Sequence, residues 1–242
     1  FIAEFQLVAN FWLRPGNVHS ANNVLQFLES TLAHLAGRTV GLLRADSGFF
    51  DDAFLSALEL KHIPYVVAAK LTHPLQRTIY RARNWWALKQ GIEIAEIDYR
   101  AAGWEKARRI ILIRQSASDR EPVGKSLSLF PDDPAAQGWR YGAYVTDLAL
   151  PAVEVWRTYR GRADAENRIK ELKADFGLDA FNMKAFWATE AALSFAMLAY
   201  NLMSLFRQAV MRTRVKHTLS TLHGMVLAVG GAWKGGHGKS HL

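Results

Sequence analysis

Residues 39–71 read TVGLLRADSGFFDDAFLSALELKHIPYVVAAKL and decide the fold of this chain. The run TVGLLRAD is apolar and is broken by Ser47-Gly48, as is typical of a buried strand that ends in a turn. The run DDAFLSALELKH has acidic residues in its first turn and apolar residues at helical spacing, so it predicts a helix. IPYVVAAKL is again a short apolar run. A strand, a helix and a second strand in this order predict an α/β sheet with parallel pairing.

Upstream of this unit the sequence predicts one more strand and one more helix. Residues 4–17, EFQLVANFWLRPGN, alternate in polarity and end at a Pro-Gly turn, which indicates a strand that leaves a hairpin. Residues 20–37, SANNVLQFLESTLAHLAG, begin with Ser and Asn, carry apolar residues at helical spacing and end at Gly. This second stretch is expected to be a helix.

Downstream, residues 71–150 are expected to be rich in strands and in positive charge. The expected antiparallel strands are IEIAEIDYR (92–100), RRIILIR (108–114) and WRYGAYVTDL (139–148). Between Lys70 and Arg114 there are ten Lys and Arg side chains against four Asp and Glu, a net charge of +6.

The last part of the chain is expected to be helical and then basic. The stretch AALSFAMLAYNLMSLF, 191–206, contains Asn201 and is shorter than the roughly 20 residues that a membrane span needs, so it predicts a buried helix. No acidic residue follows Glu190, and residues 211–242 form a basic, glycine-rich tail.

The composition favours a polyanionic partner. The net charge is +8 and the sequence pI is about 9.8, which makes nucleic acid the first candidate. The chain has no cysteine, which excludes disulfides, thiolate zinc sites and a cysteine nucleophile and favours a cytoplasmic location. No signal peptide is visible, and Phe1 stands where a complete protein would have Met, so we expect the chain to begin inside a domain.

Residues 158–173, TYRGRADAENRIKELK, carry the strongest chemical pattern in the chain. On one helix, Tyr159, Arg162, Glu166 and Lys173 would fall within roughly 60° of arc. A carboxylate flanked by an aromatic hydroxyl, a guanidinium and an ammonium suits a metal site that cleaves phosphodiesters at a nucleic-acid backbone. The sequence therefore predicts a single helix here that presents these four side chains together.

Asp46 is the second candidate for chemistry, because it lies at the carboxyl end of a predicted strand, where α/β folds place functional groups. Each acidic residue also has a structural interpretation. Asp46 can form the turn before Ser47-Gly48, and Glu166 can belong to a surface ion-pair ladder with Arg162 and Lys170. The ladder does not account for Tyr159, and the topology allows Asp46 and Glu166 to meet.

These motifs carry a specific resemblance. RADSGF around Asp46, the spacing Tyr-x2-Arg-x3-Glu-x6-Lys and the run GLDAFNMKAFWATEAALSFAMLAYNLMSLFR (177–207) are similar to the DDE transposases of bacterial insertion sequences, in the branch with the Tyr-Arg-Glu-Lys motif. The resemblance extends from about residue 5 to about residue 210. It implies an α/β, RNase H-like (retroviral-integrase-type) catalytic core with a strand-rich insertion and C-terminal helices.

The resemblance also implies a division of the chain. The expected parts are the first part of the core without its first strand (1–70), the basic strand-rich insertion (71–150), the catalytic helix and the following buried helix (151–210), and the basic tail (211–242).

The resemblance further implies a site in which three carboxylates hold two divalent metal ions. Asp46 would be the second carboxylate and Glu166 the third, with Mg²⁺ as the expected ion and Mn²⁺ able to substitute. Tyr159, Arg162 and Lys173 would contact phosphates near the transposon end. No aspartate precedes Asp46, so we expect an N-terminally truncated form that lacks the first carboxylate.

By the same resemblance, the partners are double-stranded DNA, at terminal inverted repeats and at the target, and a second copy of the chain on paired ends. The location would be the bacterial cytoplasm, at the nucleoid, with no membrane contact. Two other functions stay open: a remnant that binds DNA without cutting it, and a different RNase H-like nuclease. Trp85, Trp86 and Trp104 could stack on an unpaired base or could simply pack within the insertion.

Overall fold

The computed structural model divides the chain into two compact units. We call Arg14–Ala163 the sheet unit, and we call Phe1–Leu13 together with Asp164–Leu242 the helical unit. The structure describes residues 1–14, 23–116, 129–130, 138–178, 180–181, 183–211, 219–228, 234–236 and 239–241.

The sheet unit is a mixed α/β structure. Its elements in chain order are α1 (Val24–His34), β1 (Leu43–Ala45), a 3-10 helix (Ser47–Phe49), α2 (Asp52–Leu60), β2 (Tyr65–Ala68), α3 (His73–Arg81), β3 (Trp86–Lys89), β4 (Ile92–Tyr99), β5 (Arg108–Ser116), β6 (Trp139–Thr146) and α4 (Ala152–Arg160). In the described part of the chain its strands form one six-stranded sheet in the order β1-β2-β6-β5-β4-β3. β1 and β2 are parallel and the other pairs are antiparallel. The predicted α/β sheet with parallel pairing is therefore confirmed.

Both faces of the sheet are covered where β2 and β5 run. Tyr65 and Val67 of β2 pack in the core under α1, α2 and α3, whereas Val66 between them packs with α4. Successive side chains of a strand point to opposite faces, so this alternation buries all three residues. Strands that are covered on both faces read as continuous apolar runs, which is why IPYVVAAKL and RRIILIR were recognisable in the sequence.

A buried arginine ties α2 to the start of β5. The Arg108 side chain is 2% exposed, and its guanidinium donates to the carboxylates of Glu59 and Asp52 and to the hydroxyl of Ser56. It also stacks 4.8 Å from the ring centroid of Trp104. Burial alone would raise the pKa of Glu59, but the hydrogen bonds that it accepts, first of all from Arg108, lower that pKa overall. The pair is therefore ionised and fixed at neutral pH.

The helical unit is built around one long helix. Its elements are α5 (Ala163–Phe176), which begins at the unit boundary, α6 (Phe186–Phe206), a π-helical turn (Arg207–Met211), α7 (Leu219–Leu222), a second π-helical turn (His223–Leu227), and the strands β7 (Lys234–Gly236) and β8 (Lys239–His241). Its core contains Leu172 of α5, Leu193, Met197 and Tyr200 of α6, and Val8 from the start of the chain.

The predicted strand at residues 4–17 was wrong within the described residues, 1–14. Apart from an isolated bridge between Ile2 and Leu7, this segment has no strand partner there. The amide side chain of Asn201 takes the place of one: its Oδ1 accepts from the N–H of Val8 at 2.8 Å, and its Nδ2 donates to the C=O of Val8 at 3.0 Å. The backbone polar groups of Val8 are thus satisfied by a helix side chain instead of a neighbouring strand.

The predicted burial of the helix at 191–206 holds for one side of α6 only. Leu193 and Tyr200 are buried, whereas Phe195 is 71% exposed and Leu202 is 58% exposed. No helix in the described residues has the length and apolar character needed to cross a membrane.

The expected four-part division of the chain stays a prediction. Much of the expected tail, 211–242, lies outside the described residues.

Replacing Arg108 with Met should lower the free energy of unfolding by about 3 kcal/mol, because the carboxylates of Glu59 and Asp52 would lose a buried cation. The measurement is urea unfolding followed by tryptophan fluorescence. Arg157→Met is the matched control, since Arg157 is 63% exposed and pairs with Glu154 at the surface. That change should cost less than about 1 kcal/mol. Similar losses in the two variants would contradict a structural role for Arg108.

Candidate functional site

The helix predicted for residues 158–173 is interrupted, and the prediction of a single helix was wrong. α4 ends at Arg160, Gly161 and Arg162 form a turn, and α5 begins at Ala163. The N–H of Arg162 donates to the C=O of Tyr159 at 2.8 Å, an i→i+3 bond instead of the i→i+4 bond of an α-helix.

Arg44 of β1 contacts the chain at this interruption. Its Nη1 donates to the C=O of Thr158 at 3.1 Å, and this is the carbonyl that the N–H of Arg162 would use in a continuous helix. A Cβ atom added to Gly161 would overlap with the same nitrogen. Glycine is therefore the residue that leaves room for Arg44 at the end of α4.

Asp46 lies directly after β1 and has two contacts. Its Oδ1 accepts from the N–H of Gly48 at 3.0 Å, so the predicted turn role is confirmed. Its Oδ2 is 3.3 Å from Nη2 of Arg162. The side chain of Asp46 is 51% exposed and that of Arg162 is 22% exposed, so this ion pair remains in contact with water. The structure thus brings together two of the predicted site residues.

Tyr159 belongs to the same unit and is held by packing. Its ring centroid lies 4.3 Å from that of Tyr144, and it borders the core cluster that contains Val155 and Trp156. Burial raises the pKa of Tyr144, and the neighbouring Tyr159 raises it further. Tyr144 therefore stays protonated at neutral pH, and its ring gives Tyr159 a fixed position near the end of α4.

Glu166 and Lys173 lie on α5, in the helical unit, and both are exposed. Their separation is seven residues, or about two turns, so they lie on one side of this helix. Of the apolar residues on this helix, Leu172 is 3% exposed, whereas Ile169 is 48% exposed.

An ion-pair network anchors α5 within the helical unit. Glu171 accepts from Arg168 on α5 at 3.1 Å and from Arg207 beyond α6 at 2.5 Å. Arg168 is 6% exposed, so this network holds the helix that carries Glu166 and Lys173 in a definite position within its own unit.

The predicted site residues are therefore divided between the units. Asp46, Tyr159 and Arg162 belong to the sheet unit, and Glu166 and Lys173 to the helical unit. A meeting of Asp46 with Glu166 stays a prediction. In the part of the chain that the structure describes, no three Asp, Glu or His side chains are grouped so that they could hold one metal ion.

The tryptophans divide between packing and exposure. Trp104 is 8% exposed and contacts Phe50 and Tyr99 in the core. Trp85 packs against the same core and donates its Nε1–H to the C=O of Ala82 at 3.1 Å. Packing explains these two residues, whereas Trp86 on the edge strand β3 is 45% exposed.

Sequence reasoning missed Arg44 and Gly161. The signal for Arg44 was present, because it is the charged residue in an otherwise apolar run, 39–45, and stands two residues before Asp46. Residues two apart in a strand share a side, so Arg44 could have been expected to reach the same structure as Asp46.

Comparison with known proteins identifies the family. Residues 3–233 match a family model described as Transposase DDE domain group 1. A comparison with curated proteins found no match. The matched segment includes Asp46 and all four residues of the Tyr-Arg-Glu-Lys motif, and it covers nearly the whole of the 242 residues. The chain belongs to the transposase DDE domain family.

Proposed function

We propose that this chain is the catalytic domain of a DNA transposase with an RNase H-like core. It would cut DNA at terminal inverted repeats by metal-dependent hydrolysis and join the freed 3′ end to target DNA by transesterification. The observation that carries the proposal is the pairing of Asp46 with Arg162 at the carboxyl end of β1, within a chain that belongs to the transposase DDE family. A carboxylate and a guanidinium at this position can serve a metal ion and a phosphate, respectively.

Asp46 and Glu166 are the proposed metal ligands. The Asp46 carboxylate is half-exposed, and its two oxygens have lone pairs beyond those used by Gly48 and Arg162. Hard oxygen donors of this kind suit Mg²⁺, and Mn²⁺ should substitute. The bound ions would activate the attacking hydroxyl and stabilise the leaving oxygen. These two residues supply two of the three carboxylates that the resemblance implies.

Arg162, Lys173 and Tyr159 are the proposed DNA contacts. Arg162 has a planar fork of donors, so it can bind a phosphate bidentately and offset the repulsion between that phosphate and Asp46. Lys173 acts as an exposed point charge on α5. Tyr159 contributes its hydroxyl from a ring that Tyr144 holds in place.

The partners follow from the charge and the family. A net charge of +8 favours a duplex DNA partner, and recombination at paired ends requires two copies of the chain. We assign the chain to the branch with the Tyr-Arg-Glu-Lys motif, on the spacing of Tyr159, Arg162, Glu166 and Lys173.

A second candidate function is DNA binding without cleavage. The observation that favours it is the lack, among the described residues, of three grouped side chains able to hold a metal ion.

Asp46→Asn and Glu166→Gln should each abolish Mg²⁺-dependent nicking of supercoiled DNA, because each change removes a negatively charged oxygen ligand. Binding of a duplex should persist within a few-fold of native. The measurements are a plasmid-nicking assay with Mg²⁺ or Mn²⁺ and fluorescence anisotropy with labelled DNA. Glu105→Gln, which alters an exposed carboxylate in the loop before β5, should leave nicking unchanged.

Nicking that survives either substitution would contradict the assignment of that residue. Salt-sensitive DNA binding by the native chain without any metal-dependent nicking would instead establish the second candidate.

Arg162→Gln and Lys173→Gln should each weaken binding to any duplex and reduce the slope of log K against log salt concentration by about 1, because each removes one phosphate contact. Tyr159→Phe keeps the ring packed on Tyr144 and removes the hydroxyl alone, so it should leave that slope unchanged. The measurement is anisotropy across a salt series. Arg157→Gln, at an exposed position on α4, serves as the charge-matched control and should keep the native slope. A native slope for Arg162→Gln would remove that residue from the DNA contact.

A further inference from the structure

We propose that Arg44 is a positioning residue, which ends α4 at Gly161 and thereby holds Arg162 beside Asp46. Nη1 of Arg44 donates to the C=O of Thr158 at 3.1 Å, in the last turn of α4. Arg44 affects the site by fixing the turn that Gly161 and Arg162 form after α4.

The first step is the hydrogen bond. The last carbonyls of a helix have no intrahelical partner, and a cation near them is favourable because of the helix dipole. Arg44 supplies that cation from a strand 114 residues away in sequence. With the C=O of Thr158 engaged, the N–H of Arg162 bonds to Tyr159 and the α-helical pattern stops.

The second step is the space at Gly161. This glycine has φ −60° and ψ −11°, a conformation that any residue can adopt, so backbone freedom does not explain its presence. The explanation is the guanidinium of Arg44, which occupies the position that a side chain would take. A larger residue at 161 requires the guanidinium of Arg44 to shift, and the proposal is that this shift weakens its hydrogen bond to the C=O of Thr158.

The third step is the placement of the two contacts. Arg44 lies in β1, and Asp46 directly follows that strand. Their partners, Thr158 and Arg162, are four residues apart, one in the last turn of α4 and one in the turn that follows it. Two contacts therefore join the end of β1 to the end of α4, and the contact made by Arg44 orients the contact made by Asp46.

The coupling of Arg44 with Gly161 can be tested by thermal unfolding in a double-mutant cycle. Gly161→Ala should raise Tm by about 2–4 °C in an Arg44→Leu background, because alanine favours the helix and no guanidinium is displaced. In the native background, Gly161→Ala should give no rise in Tm, because the variant loses the hydrogen bond from Arg44 to the C=O of Thr158. Arg44→Lys keeps a donor for that carbonyl and should behave like the native background.

The control for this cycle is Gly41→Ala. A Cβ atom at Gly41 meets nothing within 4 Å, so its effect on Tm should be the same in both backgrounds. An equal rise in Tm for Gly161→Ala with and without Arg44 would overturn the proposal.

The consequence for Arg162 rests on the proposed function and is tested by DNA binding. Arg162→Gln should reduce the salt slope by about 1 in the native chain but leave it unchanged in the Arg44→Leu/Gly161→Ala chain, where Arg162 is no longer held. Lys173→Gln, on α5, should reduce the slope in both. Arg38→Leu removes one positive charge, as Arg44→Leu does, but at the exposed end of α1, and it should preserve the effect of Arg162→Gln.

The Tm cycle and the DNA-binding series can contradict different parts of the proposal. A full effect of Arg162→Gln in the Arg44→Leu/Gly161→Ala chain would show that Arg44 does not position Arg162. A native chain that binds no DNA would overturn the proposed function, while the Tm cycle would still decide whether Arg44 and Gly161 end the helix together.

Discussion

In strand β1 alternate side chains point to opposite sides, and this constraint shapes the region around Asp46. Ala45 is 9% exposed and belongs to the core, so its neighbours Arg44 and Asp46 lie on the opposite side of the strand. A cation and a carboxylate therefore reach the carboxyl end of α4 together. Arg44 donates to the C=O of Thr158, and Asp46 pairs with the guanidinium of Arg162, so each group meets a partner of opposite polarity. Parallel pairing with β2, which α4 covers on one face, supplies the support for this arrangement.

The parts of the fold that could be predicted are those in which a buried strand can be recognised from its own apolar residues. Apolar runs revealed β2 and β5, because a strand covered on both faces has to be largely apolar. The end of α4 is different. Helical periodicity continues across residues 158–173 on both sides of the turn, and the proposed cause of the interruption, Arg44, is 114 residues from the carbonyl that it engages. A local pattern cannot contain that information.

In the candidate site, too, features set by neighbouring residues could be predicted, whereas contacts between distant residues could not. The position of Asp46 after a strand followed from its flanking residues, and its turn role and its ion pair prove compatible because each uses a different oxygen. The alternation at residues 4–17 was misleading, because residues 3–6 form a turn and the backbone of Val8 bonds to the side chain of Asn201, 193 residues away. Spacing alone also could not reveal that the Tyr-Arg-Glu-Lys motif is shared between two compact units.

Two arginine–carboxylate pairs in the sheet unit show what separates a structural ion pair from one suited to binding. Arg108 is 2% exposed and is surrounded by Glu59, Asp52 and Ser56, so removing both carboxylates would leave a buried charge without a counter-ion. Arg162 and Asp46 are 22% and 51% exposed, and water can replace either partner at little cost in free energy. A guanidinium that must exchange a carboxylate for a phosphate has to be paired at the surface. The exposure of Arg162 fits its proposed contact with a DNA phosphate, whereas the burial of Arg108 excludes such an exchange.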